Sequence, residues 1–166
     1  MICGVVSGVA CGQITDPGPG EKGQVDAAAG ACDQGDQQVI SPTTGSCYML
    51  FTSLSATWQA ASDQCSGMDA HLAVITTQDE HDLLVRLAGV DTDVWVGGND
   101  LDSENTWFWV TGELVGDFGW GEDEPNNGDG GDPENCMIIR NLGPDNIGTW
   151  DDRPCALQHG YICERG

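Results

Sequence analysis

The stretch WGEDEPNNGDGGDPENC, residues 120–136, and the shorter TWDDRPC, residues 149–155, concentrate carboxylate and amide side chains. They contain Glu122, Asp123, Glu124, Asn126, Asn127, Asp129, Asp132, Glu134, Asp151 and Asp152. Calcium takes about six to eight oxygen ligands from carboxylates, amide carbonyls and backbone carbonyls, and glycines let a loop fold tightly around such an ion. The two segments therefore favour a calcium site over a magnesium site, and the alternative is a solvated acidic loop that only aids solubility.

The rest of the composition agrees with an acidic, oxygen-rich protein. The chain has 166 residues, with 27 Asp and Glu against 5 Lys and Arg, and a formal net charge of -22. Such a surface repels phosphate backbones and anionic lipid, which argues against nucleic-acid partners and against membrane binding. No run reaches the roughly 18 apolar residues that a membrane-spanning helix needs, so we expect no membrane insertion.

Eight cysteines form an even set that suits disulfides, and their spacing alone leaves the connectivity open. A zinc site is disfavoured, because no C-x-x-C pair exists and His71, His81 and His159 lack the short spacing of ligand pairs. Disulfides persist in oxidising compartments. We therefore expect a secreted or cell-surface protein, although residues 1–11 are apolar without the basic start of a signal peptide.

The chain divides into two parts. Residues 1–31 are rich in Gly, Ala, Asp and Pro without a sustained apolar period, which predicts a tail or linker. Its Cys3 and Cys11 could pair with each other or with another chain. Residues 32–166 alternate helical and strand-like patterns, which predicts a compact α+β domain whose function lies in its long loops.

Local signals predict the elements of that domain. CYMLF (47–51) and HLAVI (71–75) are typical of strands. Residues 55–66 are typical of a helix with Ser55 as its N-cap. A second helix should begin at the capping box Thr77-x-x-Glu80, bury Leu83, Leu84 and Leu87, and end at Gly89.

Catalysis is not favoured by these residues. Paired carboxylates can hydrolyse glycosides, but one of them must be kept protonated by an apolar environment. Here the candidate acids lie among many others in Gly-rich loops, and no G-x-S-x-G motif is present. We therefore expect a protein that is not an enzyme.

The order of the motifs resembles the C-type lectin-like domain family over about 120 residues, from Cys47 to Cys163. Trp95-Val96-Gly97-Gly98 is similar to the family's W-I-G-L motif, with Gly98 in place of Leu. Further matches are Cys65 before HLAVI and a helix, Trp107-Phe108-Trp109 with Gly112, Trp120 before Glu124-Pro125-Asn126, Glu134 before Cys136, Trp150-Asp151-Asp152 in place of W-N-D, and the closing Cys155 and Cys163.

The resemblance implies a disulfide-stapled double-loop α+β fold of two helices, small antiparallel sheets and a long calcium-binding loop. It implies the disulfides Cys65–Cys163 and Cys136–Cys155, with Cys32–Cys47 as the extra bridge of the family's long form. It also implies a cis peptide before Pro125. We expect Trp95, Trp107 and Trp109 to be core residues rather than ligand contacts.

The resemblance further implies a principal calcium ion whose protein ligands also bind two vicinal sugar hydroxyls. Those residues are Glu124, Asn126, Glu134, Asp151 and Asp152. The E-P-N triplet goes with mannose-type sugars in this family, whereas Q-P-D goes with galactose. A second calcium site would use Asp100, Glu104 and Asn127, with Glu134 shared between the ions.

Two departures from the family pattern bear on the sugar. Asp151 stands where the family has Asn, which keeps an oxygen ligand but removes an amide donor. The Gly-rich stretch 127–132 is of a kind that reshapes the binding rim and can favour galactose in relatives.

We therefore expect a calcium-dependent lectin, for mannose-type more than galactose-type sugars, with several copies needed for avidity. The alternative is a calcium-stabilised module on the same fold that binds a protein or other surface, such as ice, and ignores monosaccharides.

Overall fold

The computed structural model describes residues 32–128, 131–141 and 148–166. The expected tail at 1–31, with the Cys3–Cys11 pair, lies outside these residues. The described residues form two helices and eight strands. In chain order these are β1 Gln37–Ile40, β2 Cys47–Ala56, α1 Trp58–Ser66, β3 His71–Leu72, α2 Gln78–Ala88, β4 Val94–Asn99, β5 Phe108–Trp109, β6 Cys136–Arg140, β7 Thr149–Arg153 and β8 His159–Arg165.

The strands follow the order β1-β2-β8-β4-β6-β7, with β3 paired to β8 and β5 paired to β4. Their pairings are antiparallel except for β4 with β8, which is parallel. Strand β7 lies at one end of this order, so residues 149–153 of the segment TWDDRPC form an outer strand beside β6. The α+β expectation is confirmed.

Alternate residues of the central strands pack into two different hydrophobic clusters. Val94 and Val96 belong to the cluster that includes Leu84 and Leu87 of α2, whereas Trp95 between them belongs to the cluster of α1. This period of two is what a strand with both faces covered requires. Trp95, Trp107 and Trp109 are all buried, as expected for core residues.

The first helix begins later than the sequence predicted. Thr57, not Ser55, is the N-cap, and its hydroxyl accepts a hydrogen bond from the backbone N–H of Ala60. Ser55 lies in β2, which runs to Ala56 instead of ending at residue 51 because Ala56 still pairs with His159 of β8. A strand pairing thus overrides the local capping preference of a serine.

The run HLAVI is also less regular than expected. Only His71 and Leu72 form strand β3, although the backbone N–H of Ala73 still donates to the carbonyl of Ile162. Its apolar residues are nevertheless buried at Leu72, Ala73 and Ile75. The apolar pattern therefore predicted burial correctly and overestimated the length of the strand.

The second helix agrees with the sequence. Both arms of the capping box between Thr77 and Glu80 are present, and Gly89 follows the helix with a positive φ of 74°. Leu84 and Leu87 are buried, and Leu83 packs against the same cluster from a partly exposed position. Neither helix in the described part of the chain has the length and apolar character needed to cross a bilayer.

Three disulfides staple the described residues, with the pairings that the family resemblance implied. Cys65–Cys163 joins α1 to β8, and Cys136–Cys155 joins β6 to the segment after β7. Cys32–Cys47 ties the first described residue to the start of β2. The second of these bridges lies beside the acidic segments.

Candidate functional site

The β6–β7 hairpin holds two buried carboxylates next to each other. Asp151 and Asp152 lie opposite Ile138 and Met137 of β6, and each is only 1% exposed. Two adjacent buried acids cost free energy unless they are hydrogen-bonded or paired with positive charge. The two side chains meet this requirement in different ways.

Asp152 fastens the long loop to the hairpin. Its Oδ1 accepts the backbone N–H of Asn126 at 3.0 Å, and its Oδ2 accepts the backbone N–H of Asn127 at 2.7 Å. The Oδ1 of Asn127 in turn accepts the backbone N–H of Glu134 at 2.9 Å. The peptide between Glu124 and Pro125 is cis. These contacts hold the E-P-N triplet over the acidic strand.

Three carboxylates converge at this point. One oxygen each from Glu124, Asp151 and Asp152 lie within 4.8 Å of one another. The Oε2 of Glu124 and the Oδ1 of Asp151 are buried and find no hydrogen-bond partner among the described residues. A buried anionic oxygen without a partner is costly, so this arrangement fits a cation that would be bound by those oxygens.

The pKa values of these carboxyl groups reflect the same crowding of buried negative charge. Burial raises the pKa of Glu124 to about 7, and the negative charges of Asp151 and Asp152 add to the rise. Burial also raises the pKa of Asp151, while the guanidinium groups of Arg153 and Arg140 oppose that rise. Carboxyl groups crowded in this way release protons readily only when positive charge is supplied.

Two arginines supply part of that charge, and sequence reasoning missed both. The Oδ2 of Asp151 lies 2.7 Å from Nη2 of Arg153 and 3.2 Å from Nη1 of Arg140. Arg153 also lies 3.7 Å from Oε1 of Glu134. Asp151 thus uses one oxygen for the arginines, while the other has no partner in the part of the chain that the structure describes.

The charge count of this cluster suits a divalent ion. When all four are ionised, Glu124, Glu134, Asp151 and Asp152 carry four negative charges, and the two guanidinium groups offset two of them. One calcium ion would neutralise the remainder. The sequence shows that these two residues are basic but does not show which carboxylates they contact. Those contacts depend on the β6–β7 register, which brings Arg140 beside strand β7.

The other two predicted ligands lie at the border of the cluster. Glu134 is buried, and burial raises its pKa while Arg153 opposes the rise. It is not among the three residues whose oxygens converge within 4.8 Å. Asn126 is exposed, and its Oδ1 accepts the backbone N–H of Gly128 at 2.8 Å. Binding an ion through Asn126 would therefore compete with that local hydrogen bond.

Asp100 is the first of the residues predicted to hold a second ion. This residue is buried, its Oδ2 accepts the backbone N–H of Asn105 at 2.8 Å, and its Oδ1 has no partner among the described residues. Burial raises the pKa of Asp100, and the charge of Asp152 adds to the rise. Glu104, the second predicted ligand, is exposed. The third predicted ligand, Asn127, accepts a hydrogen bond from the backbone N–H of Glu134 through its Oδ1.

Asn135 is a further candidate for this second ion site that the sequence analysis did not identify. Its carbonyl accepts the backbone N–H of Asp100 at 3.3 Å, and its Oδ1 is buried without a partner among the described residues. An amide between Glu134 and the disulfide-bonded Cys136 was the available signal. Asp100 and Asn135 are thus joined through their backbones, and each has a buried side-chain oxygen without a partner among the described residues.

The comparisons with known proteins give the family of this fold. Residues 54–165 match the model described as the Lectin C-type domain. A curated relative, the mouse CD209 antigen-like protein C, is 32% identical over 124 residues, which cover 73% of this chain and 64% of that protein. The chain spans between 8% and 64% of the length of the first curated relatives that it matches.

Two solved structures illustrate the range of the fold. The cow C-type carbohydrate-recognition domain of CD23, determined in the presence of a GlcNAc2Man3 oligosaccharide, has a TM-score of 0.67 and 26% identity, covering 80% of this chain and 95% of its own. A Ca2+-dependent type II antifreeze protein in its Ca2+-free form gives the same TM-score and identity, covering 80% of this chain and 100% of its own.

Proposed function

Because the chain belongs to the C-type lectin domain family, we propose that it is a calcium-dependent carbohydrate-binding protein of the secreted or cell-surface type. The observation that carries the proposal is the convergence of Glu124, Asp151 and Asp152, two of whose buried oxygens find no partner among the residues described by the structure. Such hard oxygen donors, without thiol or imidazole among them, suit calcium. No residue of the chain is assigned a catalytic role.

Glu124, Asn126, Glu134, Asp151 and Asp152 would hold the principal ion, and these same side chains would orient the sugar. Bound calcium supplies open coordination positions for two vicinal hydroxyls. The carboxylates accept hydrogen bonds from those hydroxyls, and the amide of Asn126 donates one. The E-P-N triplet supports a mannose-type ligand. Asp100, Asn127 and Asn135 would hold a second ion, with Glu104 reaching it from the surface.

Retention on immobilised mannose tests this proposal, with immobilised galactose in parallel. We expect the protein to bind mannose in calcium and to be released by a chelator and by free mannose. The Asp152→Asn variant should lose retention, because it weakens both the ion site and the anchoring of the loop. Asp36→Asn is the matched control. The Asp36 carboxylate also accepts two backbone N–H groups from a distant part of the sequence, those of Thr52 and Ser53.

One observation favours a second candidate, a calcium-stabilised module that binds a protein or other surface. Asp151 holds two arginines and lacks the amide donor of the family's Asn, which removes a hydrogen bond to sugar. A similar fold occurs in an antifreeze protein. Flow-through on both sugar columns, together with a calcium-dependent rise in melting temperature, would favour this candidate over the lectin.

A single sugar in an open site binds weakly, with a Kd on the order of millimolar. We therefore propose that useful avidity comes from several copies of the domain acting together.

A further inference from the structure

The long loop carries the sequence's only Asn-Gly pair, Asn127-Gly128. Asparagine is chemically labile in such a pair, because the next peptide nitrogen can attack its side-chain amide and glycine has no Cβ to hinder the approach. Both residues are half-buried, so water reaches them. Both also have positive φ, 52° at Asn127 and 62° at Gly128, a conformation that asparagine and glycine tolerate better than other residues.

Three hydrogen bonds hold this pair in place. The backbone N–H of Asn127 donates to Oδ2 of Asp152 at 2.7 Å, and the Oδ1 of Asn127 accepts the backbone N–H of Glu134 at 2.9 Å. The backbone N–H of Gly128 donates to Oδ1 of Asn126 at 2.8 Å. Asn127 is thus fixed at both its backbone and its side chain, and the Gly128 proton is held by an amide oxygen that is too weak a base to remove it.

We propose that Asn127 is a modification site, where spontaneous deamidation is gated by these three hydrogen bonds and, once complete, releases the long loop from β7. The Gly128 nitrogen loses its proton to solvent base and attacks Cγ of Asn127, the Cγ–Nδ2 bond breaks, and ammonia leaves after taking up a proton. Water then opens the resulting succinimide at Cγ to give aspartate, or at the backbone carbonyl carbon to give isoaspartate. Water is consumed and ammonia is released, so no oxidant or other reactant is needed.

The closed loop opposes this reaction. Ring closure removes the Gly128 proton, so the hydrogen bond to Asn126 is lost, and it draws the Asn127 side chain back toward its own main chain at the cost of the contact with Glu134. Negative charge also disfavours the deprotonated nitrogen, since Cδ of Glu134 lies 3.4 Å from where a Cβ of Gly128 would be. Deamidation therefore proceeds through local opening of the loop, and the free energy of that opening sets its rate.

The products differ from asparagine at the point where the loop is anchored. Isoaspartate carries the main chain through Cγ, which lengthens it next to the N–H that Asp152 accepts. Aspartate keeps the main chain but adds a negative charge beside the Asp152 carboxylate. Each product weakens the anchor. The released loop carries Glu124 and Asn126, so a loss of calcium affinity follows as well, and this last consequence alone rests on the proposed function.

The test follows the conversion of Asn127 by peptide-mapping mass spectrometry at pH 8 in a chelator, for the full chain folded and unfolded in urea. We expect the folded protein to react at least about tenfold more slowly, because an ordered loop must open first. Asp152→Asn weakens the anchor and should speed the reaction of the folded protein about threefold or more. Asp36→Asn is the matched control, because its carboxylate accepts two backbone N–H groups elsewhere, and it should leave the rate unchanged.

Amide hydrogen exchange of the loop, measured before and after ageing, tests its release. Exchange should quicken as the unmodified protein ages and stay constant in Asn127→Gln, whose longer side chain closes a six-membered ring far more slowly. Equal rates of conversion in the folded and the unfolded protein would overturn the gating, and so would equal rates in Asp152→Asn and Asp36→Asn. Unchanged hydrogen exchange after conversion would overturn the release. Unchanged calcium affinity in a loop that has been released would instead contradict the proposed function.

Discussion

Asp151 shows how one substitution can change the role of a side chain without removing its oxygen. With Asn at this position, the side chain would offer one oxygen and one amide donor. With Asp, one oxygen pairs with Arg140 and Arg153, and the other is buried without a partner among the described residues. The arginines therefore neutralise the added charge and leave an anionic oxygen for an ion.

Glu124 should make the stability of the calcium-free protein fall as pH rises. Its pKa is raised in the folded state to about 7, above the ordinary value of 4.5, so the folded protein binds this proton more tightly than the unfolded chain does. The destabilisation is absent below about pH 4.5 and complete above about pH 7. Glu124→Gln should therefore stabilise the calcium-free protein, kept in a chelator, near pH 8 and have little effect near pH 4.5.

The expected gain near pH 8 is about 1–2 kcal/mol, below the roughly 3 kcal/mol to which a rise of the pKa from 4.5 to about 7 corresponds, because Glu124 is half-buried and solvent screens it. Urea unfolding of both proteins in a chelator, at several pH values, measures it. In calcium the sign should reverse, since the ion favours the charged carboxylate and the glutamine forfeits a ligand. A pH-independent difference between the two proteins in chelator would rule out this role for Glu124.

At the scale of elements, the two helix caps should differ in strength. Thr57 provides one capping hydrogen bond, to the N–H of Ala60. Thr77 accepts from the N–H of Glu80, and the Glu80 carboxylate accepts from the backbone N–H of Thr77 in return. We expect Thr77→Ala to cost about 1–2 kcal/mol and Thr57→Ala about 0.5–1 kcal/mol.

Urea unfolding in saturating calcium measures both costs. Thr77→Ser and Thr57→Ser are the matched controls, because serine keeps the capping oxygen and should recover most of the stability. If the serine and alanine variants at residue 77 unfold at the same urea concentration, the cap contributes nothing and the helix is held by packing alone.

Elements whose signals are local were predictable, and those that depend on pairing were not. The capping box of Thr77 and Glu80 needs only a four-residue pattern, and it was identified correctly. The predicted start of α1 was wrong because β2 continues through Ser55 and pairs with β8, which lies about 100 residues later in the sequence. The arginine partners of Asp151 and the position of Asn135 likewise depend on long-range pairing.

Gly98 marks a departure from the family motif that the structure explains. A Cβ atom built at this position would lie 2.5 Å from the methyl carbon of Met137 on the neighbouring strand β6. The thioether thus occupies the space that the motif's leucine would need. Sequence comparison revealed the unusual glycine, but only the packing identifies Met137 as the residue that compensates for it.

At the scale of the whole molecule, a net charge of -22 attracts any divalent cation, so a specific calcium site must be separated from general screening. We expect 1 mM calcium at pH 7 in 150 mM NaCl to raise the melting temperature by roughly 5–10 °C through mass action on the folded state. Magnesium at the same concentration should raise it much less, because it releases its water reluctantly and demands a rigid octahedron.

Two variants distinguish calcium binding at the carboxylate cluster from general attraction of cations to the acidic surface. Asp152→Asn should abolish most of the calcium increment, whereas Asp36→Asn, which removes the same formal charge from a carboxylate that also accepts two backbone N–H groups, should preserve it. Differential scanning calorimetry in calcium, magnesium and chelator measures all three proteins. Equal increments for the two metals, or equal loss in the two variants, would mean that the acidic surface as a whole, and not the cluster of Glu124, Asp151 and Asp152, binds the ion. The unequal response is expected because only this cluster combines converging carboxylates with buried oxygens that lack partners among the described residues.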